Sequence, residues 1–125
     1  MKLLDTTVAV DYLRGQPPAV ALLGGLADTP AEIVASELVR FELFAGAREH
    51  ELDDMQRFLA ALDWVPVNGK VARVGGELAR RYRPSHSGIE DVDYLIAATA
   101  LVLDAELLTT NVKHFPMLEG LSPAY

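Results

Sequence analysis

An α/β fold built on a parallel sheet is what this sequence predicts, and three observations carry the prediction. Short apolar or β-branched runs at 2–4, 32–35, 64–67 and 106–109 alternate with longer helical stretches, the pattern of βαβ units with helices on both faces of one sheet. The stretch 92–103 is apolar almost all round, so it belongs at the centre of the fold. At 125 residues, with no linker and no internal repeat, the chain makes a single domain, 1–125, large enough to bury a real core.

In chain order, the run 2–4 forms the first strand and Asp5 stands at its carboxyl end. A helix follows over 8–14, closed by Gly15 and a turn at Pro17-Pro18, since Gly and Pro stop helices. A second helix covers 19–26, Asp28-Thr29-Pro30 breaks the chain, and 32–35 reads as a buried strand. Ser36 caps a helix running to about residue 49, and an amphipathic helix over 52–62 gathers Met55, Phe58, Leu59 and Leu62 on one face. The run 64–67 is an edge strand, because Pro66 cannot donate to a ladder. Asn68-Gly69 turns the chain into a helix over 70–82, the segment 85–88 is a loop, and the central helix 92–103 follows. A fourth strand at 106–109 and a short fifth at 120–124 complete the sheet.

Composition excludes several classes of protein. Half the residues are hydrophobic and 23% charged, which describes a globular chain rather than a disordered one. No apolar run reaches a membrane span and no signal-peptide pattern opens the chain, so a cytoplasmic protein is expected. Without cysteine there is no disulfide and no thiolate metal site. A formal net charge of −7 argues against holding nucleic acid by the overall field, yet carboxylates gathered for a cation inflate such a count. The glycines fit no phosphate-cradling pattern.

The acids are the informative residues. Asp5 lies where open α/β sheets place their ligands, although an Asp before a helix is also an ordinary cap. Glu42 falls between Leu38 and Val39 on the helical wheel and interrupts a face that should be buried; the ordinary alternative is a Glu reaching solvent near the helix end. Gly46, one turn later, removes bulk beside it at a helix cost of up to about 1 kcal/mol relative to Ala. Asp93 opens the central helix, where it or Asp91 can serve as a cap, and Asn111 follows the fourth strand, where it can serve as a turn residue. Together, three carboxylates and an amide oxygen make a hard-oxygen site suited to Mg²⁺ or Mn²⁺. A serine hydrolase using Ser85, His86 or Ser87 lacks a nucleophile elbow, and His114 reads as a surface or packing residue.

Four segments now form a pattern: Leu4-Asp5-Thr6-Thr7-Val8, Phe41-Glu42-Leu43-Phe44-Ala45-Gly46-Ala47, Asp93-Tyr94-Leu95-Ile96-Ala97-Ala98-Thr99-Ala100 and Leu108-Thr109-Thr110-Asn111-Val112-Lys113-His114-Phe115. In order, they resemble the motifs of PIN-domain ribonucleases, with the VapC toxins of toxin–antitoxin pairs as the nearest likeness. The resemblance implies a three-layer α/β/α fold around a parallel sheet of four or five strands. It also implies an Mg²⁺- or Mn²⁺-dependent endoribonuclease acting on RNA, held inactive by a cognate VapB antitoxin.

Residue by residue, Asp5, Glu42 and Asp93 take the places of the family's three regular acids, with Asp5 and Asp93 on the metal. Asn111 falls where many members carry a fourth acid, Asp91 is a candidate auxiliary acid, and Thr6 or Thr7 is placed to orient a carboxylate or a water. Glu42 then positions or deprotonates the attacking water. Two rivals remain: an aspartyl-phosphate enzyme using Asp5, weakened because Thr7 stands where a second Asp is wanted, and a PIN-like module that binds without catalysis. The basic run that includes Arg80, Arg81 and Arg83 is a candidate contact for RNA or for the antitoxin. The positive mean hydropathy of +0.17 and the broad apolar helix faces point to a homodimer.

Overall fold

The structure, a computed structural model, describes residues 1–26 and 32–125; the break expected at Asp28-Thr29-Pro30 lies outside them. Strand β1 is Lys2–Leu4, followed by helix α1 (Thr6–Leu13) and helix α2 (Pro17–Leu26). Then come β2 (Ile33–Ser36), α3 (Glu37–Gly46), α4 (Leu52–Ala60), β3 (Asp63–Val65), α5 (Gly69–Tyr82), α6 (Asp91–Leu103) and β4 (Glu106–Leu108). Short 3₁₀ turns occupy Glu49–Glu51 and Val112–His114.

The sheet is parallel throughout, in the order β3-β2-β1-β4. Register sets Leu4 beside both Ala35 and Leu108, so the chain leaves β1 and β4 at the same level. The connection from β1 runs to one side of it and β4 lies on the other. The crevice between the carboxyl ends of β1 and β4 is therefore the switch point at which such sheets take ligands.

Local chemistry explains most element boundaries. Ser36 caps α3, its Oγ accepting the Leu38 N–H at 3.1 Å, and Asn68 caps α5 through Oδ1 and the Val71 N–H at 2.9 Å. Each such cap stabilises its helix by about 1 kcal/mol. Helix α3 stops at Gly46 instead of near residue 49, because Ala47 and Arg48 are extended and the Glu51 carboxylate accepts the Arg48 N–H at 2.8 Å, opening a new turn. Pro17-Pro18 starts α2 instead of turning before it; a proline in the first turn loses an N–H that had no helical partner. The expected fifth strand is absent among the described residues. Segment 120–124 makes a single backbone bond to the end of β4, Ala124 N–H to Thr109 O at 2.8 Å, besides a local turn bond from the Leu121 N–H to Leu118 O, and Pro123 cannot extend a ladder.

The core joins the sheet to helices on both sides. Leu3, Leu4, Ala35, Leu107 and Leu108 pack with Val8, Val39, Met55 and Leu59 and with a run of buried α6 residues from Ile96 to Ala100. Strand β3 lies at the sheet edge, as expected, but spans Asp63–Val65 instead of 64–67 and ends before Pro66. Gly75 of α5 lets α6 approach closely, since a Cβ there would stand 2.9 Å from Leu95 Cδ2.

Candidate active site

Asp5 occupies the N-cap position of α1 with extended backbone, φ −87° and ψ 156°, yet its side chain caps nothing. Its Oδ2 accepts hydrogen bonds from two hydroxyls, Thr109 Oγ1 at 2.7 Å and Thr7 Oγ1 at 3.1 Å. The carboxylate is 6% exposed. A buried anion is costly unless paired, hydrogen-bonded or neutralised by a cation, and two hydroxyls meet only part of that requirement. The shared level of β1 and β4 produces this contact: Asp5 and Thr109 each follow the last residue of paired strands, and the Asp5 N–H donates to Leu108 O at 2.9 Å.

Glu42 lies on the inner side of α3, half-buried, and its Oε1 accepts from Thr6 Oγ1 at 2.7 Å. Burial pushes its carboxyl pKa up; the Thr6 bond pulls the other way, and the charges of Asp5, Asp93 and Glu90 raise it further. Asp93 is in the first turn of α6, where its Oδ2 accepts the Glu90 N–H at 3.1 Å and faces His114 Nδ1 at 3.1 Å. Its pKa is also raised, first by burial and then by Asp5, against the lowering effects of the Glu90 N–H and of His114. The three acids named from sequence thus share one electrostatic field. Among the described residues, each has one oxygen anchored by the protein, and no hydrogen bond reaches Asp5 Oδ1, Glu42 Oε2 or Asp93 Oδ1.

The other sequence candidates divide. Thr6 and Thr7 each orient a carboxylate, but different ones: Thr6 holds Glu42 and Thr7 holds Asp5. Asn111 lies at the same edge with its N–H donating to Thr109 Oγ1 at 3.0 Å, while its side chain makes no cap. Asp91 turns outward, 83% exposed and ion-paired with Arg83; two residues before Asp93 on a helix, it points roughly to the opposite side. Arg83 is consequently engaged, also lying 5.6 Å from the Tyr94 ring centroid, whereas Arg80 and Arg81 are exposed on α5.

Three participants escaped the sequence reading. Thr109 read only as the end of a strand, although it is fully buried on Asp5; the signal, a hydroxyl at the level of Asp5, becomes visible only once β4 is known to pair with β1. His114 is placed on Asp93 rather than serving as a surface or packing residue, because the 3₁₀ turn at Val112–His114 folds it back over the start of α6. Glu90 adds its charge to Glu42.

As they stand, no three Asp, Glu or His side chains among the described residues converge closely enough to enclose an ion. Each acid is anchored separately, Glu42 on Thr6, Asp5 on Thr109 and Asp93 on His114. The donor chemistry nevertheless fits a hard divalent cation: all three acids have a carboxylate oxygen without a protein partner, and burial and neighbours disfavour the charged forms of Glu42 and Asp93.

The PIN domain sequence pattern matches residues 2–118. This chain belongs to the PIN-domain family. It is 62% identical over 125 residues to Ribonuclease VapC19 of Mycobacterium tuberculosis strain H37Rv, with 100% of each chain covered. Among solved structures it superposes on VapBC2 from Rickettsia felis bound to a DNA fragment from their promoter, with TM-score 0.82 and 25% identity over 96% of this chain and 94% of that one. The fold also matches that of a toxin–antitoxin complex from Klebsiella pneumoniae, with TM-score 0.83 and 24% identity over 100% and 98%. The three-layer α/β/α arrangement expected from the sequence is the fold these structures share.

Proposed function

We propose that this PIN-domain chain is a divalent-metal-dependent endoribonuclease, the toxin of a type II toxin–antitoxin pair restrained by a VapB-type antitoxin. The observation that carries the chemical part is Asp5, a buried carboxylate at a helix start that caps nothing and shares a field with Glu42 and Asp93. The identity to Ribonuclease VapC19 supports RNA as the substrate, and the likeness to VapBC2 supports an antitoxin partner. Asp5 and Asp93 would hold Mg²⁺ or Mn²⁺, with Asn111 beside them at the same edge. When bound, such a cation supplies Lewis acidity that makes water a better nucleophile and offsets charge on the phosphate.

The chain's own residues divide the remaining work. Glu42, anchored through Oε1 by Thr6, presents its other oxygen to the attacking water and takes its proton; a raised pKa makes it a stronger base than a solvated Glu. Thr109 and Thr7 fix the rotamer of Asp5, and His114 and the Glu90 N–H fix that of Asp93, so the reactive edge is set before substrate arrives. Arg80 and Arg81, exposed at the end of α5, are available to RNA or to the antitoxin. Helix α3 bares Phe41, 65% exposed, and Phe44, apolar surface suited to a homodimer.

The test is cleavage of a structured RNA with Mn²⁺ or Mg²⁺ against a chelated control. Cation-dependent cleavage that Asp5→Asn abolishes, with the fold intact by thermal melting, is expected. Near-wild-type cleavage by that variant would sink the mechanism. Light scattering at tens of micromolar tests the dimer, which a monomeric mass would rule out.

A further inference from the structure

Beside the carboxylates, a cleft of about 620 Å³ opens between α1, α3 and the start of α4, and Glu42 forms part of its wall. Its charges are unequally committed. Asp54 is ion-paired with Arg57, Glu51 accepts the Arg48 backbone N–H, and Glu42 accepts from Thr6. Arg14 and Arg48, both exposed and lining the same cleft, take part in none of the salt bridges among the described residues. His50 adds a third basic side chain at the rim. Two guanidinium groups thus line the cleft outside any such ion pair, beside the carboxylates of Glu42 and Glu51, in a protein whose overall formal charge is −7.

The backbone sets both arginines firmly. Arg14 is the C-cap of α1, followed by Gly15 at φ 73°, and the Gly15 and Gln16 N–H groups donate back to Tyr12 O and Asp11 O at 3.0 and 2.9 Å. Arg48 starts the 3₁₀ turn Glu49–Glu51 with its N–H held by Glu51. Between them the floor is open: a Cβ added to Gly46 would meet nothing within 4 Å. Gly46 lines the cleft and adds no side chain to it. By contrast, the smaller cleft bordered by Arg80 and Arg81 contains none of the three acids.

We infer that this cleft is the track of the substrate strand, with Arg14 and Arg48, helped by His50, holding backbone phosphates of RNA next to the phosphodiester presented to Glu42. The inference rests on the ribonuclease reading and assigns it a binding surface. A repulsive overall field requires local phosphate contacts, guanidinium groups suit phosphate oxygens, and these two line the same cleft as a catalytic side chain. Pre-set backbones at both arginines reduce the ordering cost of binding.

The experiment measures KM and kcat on a single-stranded RNA oligonucleotide, over a range of salt, for the wild type and for Arg14→Ala, Arg48→Ala and the double variant. KM should rise roughly tenfold for each arginine removed, with kcat nearly unchanged, because a guanidinium on a backbone phosphate holds substrate and transition state alike. The salt slope of log KM should flatten by about 0.7 for each phosphate that is no longer neutralised, and Arg→Lys at the same positions should restore most of it. Gly46→Leu, which fills the cleft without changing charge, should raise KM with the salt slope intact. Unchanged KM and slope in the double variant, with melting as in the wild type, would overturn the proposal. So would wild-type KM and slope combined with escape from the antitoxin, which would give the cleft to a protein partner. If the wild type itself cuts no RNA under any cation, the ribonuclease reading fails first, and this inference falls with it.

Discussion

The first turns of α1 and α6 each carry an aspartate, Asp5 at the N-cap position of one and Asp93 at the third residue of the other. Asp93 does what a helix start rewards: it accepts the Glu90 N–H and lies at the positive end of the helix dipole, terms worth about 0.3–1 kcal/mol at such sites. Asp5 declines the same role and takes its hydrogen bonds from Thr7 and from Thr109, more than a hundred positions away in sequence. Asp93 thus takes a backbone donor at its own helix start together with His114, whereas Asp5 takes no backbone donor from its helix and relies on the Thr7 hydroxyl and on Thr109 across two strand ends. The difference shows how a fold can give local stability to one member of a site while leaving another dependent on topology.

The largest expected effects break the activity of both. Asp5→Asn and Asp93→Asn should each reduce cation-dependent RNA cleavage by about 10²–10³-fold, the scale of losing a pre-oriented electrostatic group. Stability should move far less. In metal-free protein, Asn at 5 keeps an acceptor for both hydroxyls and removes a charge that raises the pKa values of Glu42 and Asp93. Asn at 93 gives up a dipole interaction of up to about 1 kcal/mol but relieves its own burial cost and its repulsion of Glu42. Differential scanning calorimetry should therefore find neither variant much less stable than the wild type at neutral pH, and a large loss for either would show that its charge holds the metal-free fold together.

Thr109→Val sharpens the contrast between the two helix starts. Valine matches the shape of threonine but withdraws the 2.7 Å hydroxyl from Asp5, leaving a buried carboxylate with one donor. Cleavage should fall by about tenfold, in proportion to the removal of one hydrogen bond to a charged group, and Thr109→Ser should recover most of it. His114→Ala, acting on the acid that keeps its backbone donor, should cost less. An activity loss larger for His114→Ala than for Thr109→Val would reverse the assignment of which acid depends on distant support.

How much of this was legible in the sequence follows the same division. The alternation of runs gave the parallel sheet, the run before Pro66 was placed at the edge where β3 lies, and Asp5, Glu42 and Asp93 stood out as misplaced for packing or suited to a cation. Support that arises between segments was not legible. Thr109 matters because β4 pairs with β1 in a register that puts it beside Asp5, and His114 because a 3₁₀ turn brings it to α6; neither pairing is written in local periodicity. The same limit misplaced the fifth strand, where apolar residues at the tail offered a pattern but Pro123 and a single bond to Thr109 O left no ladder. Asp91 turns away from the other acids for a local reason that a helical wheel shows, since two residues apart on α6 it and Asp93 face different ways.

The smallest effect concerns pH and tests whether the site is held under electrostatic load. Glu42 and Asp93 both have pKa values raised in the fold, chiefly by burial. Over the interval from the ordinary carboxylate range up through those raised values, the folded chain binds more protons than the unfolded one, so unfolding free energy falls as pH rises. Their favourable contribution is complete below the unfolded pKa and lost once pH has passed the folded one. Metal-free protein should accordingly melt a few degrees lower at neutral pH than in mild acid, if other groups are matched by comparison with a double variant, Glu42→Gln with Asp93→Asn, in which the slope should shrink. Saturating Mn²⁺ should raise the neutral-pH midpoint of the wild type and leave that of the double variant almost still, since a ligand stabilises only the state it binds. A wild-type melting profile identical to that of the double variant across this range, with and without cation, would show that the acids carry no mutual strain and would remove the electrostatic argument for a shared site.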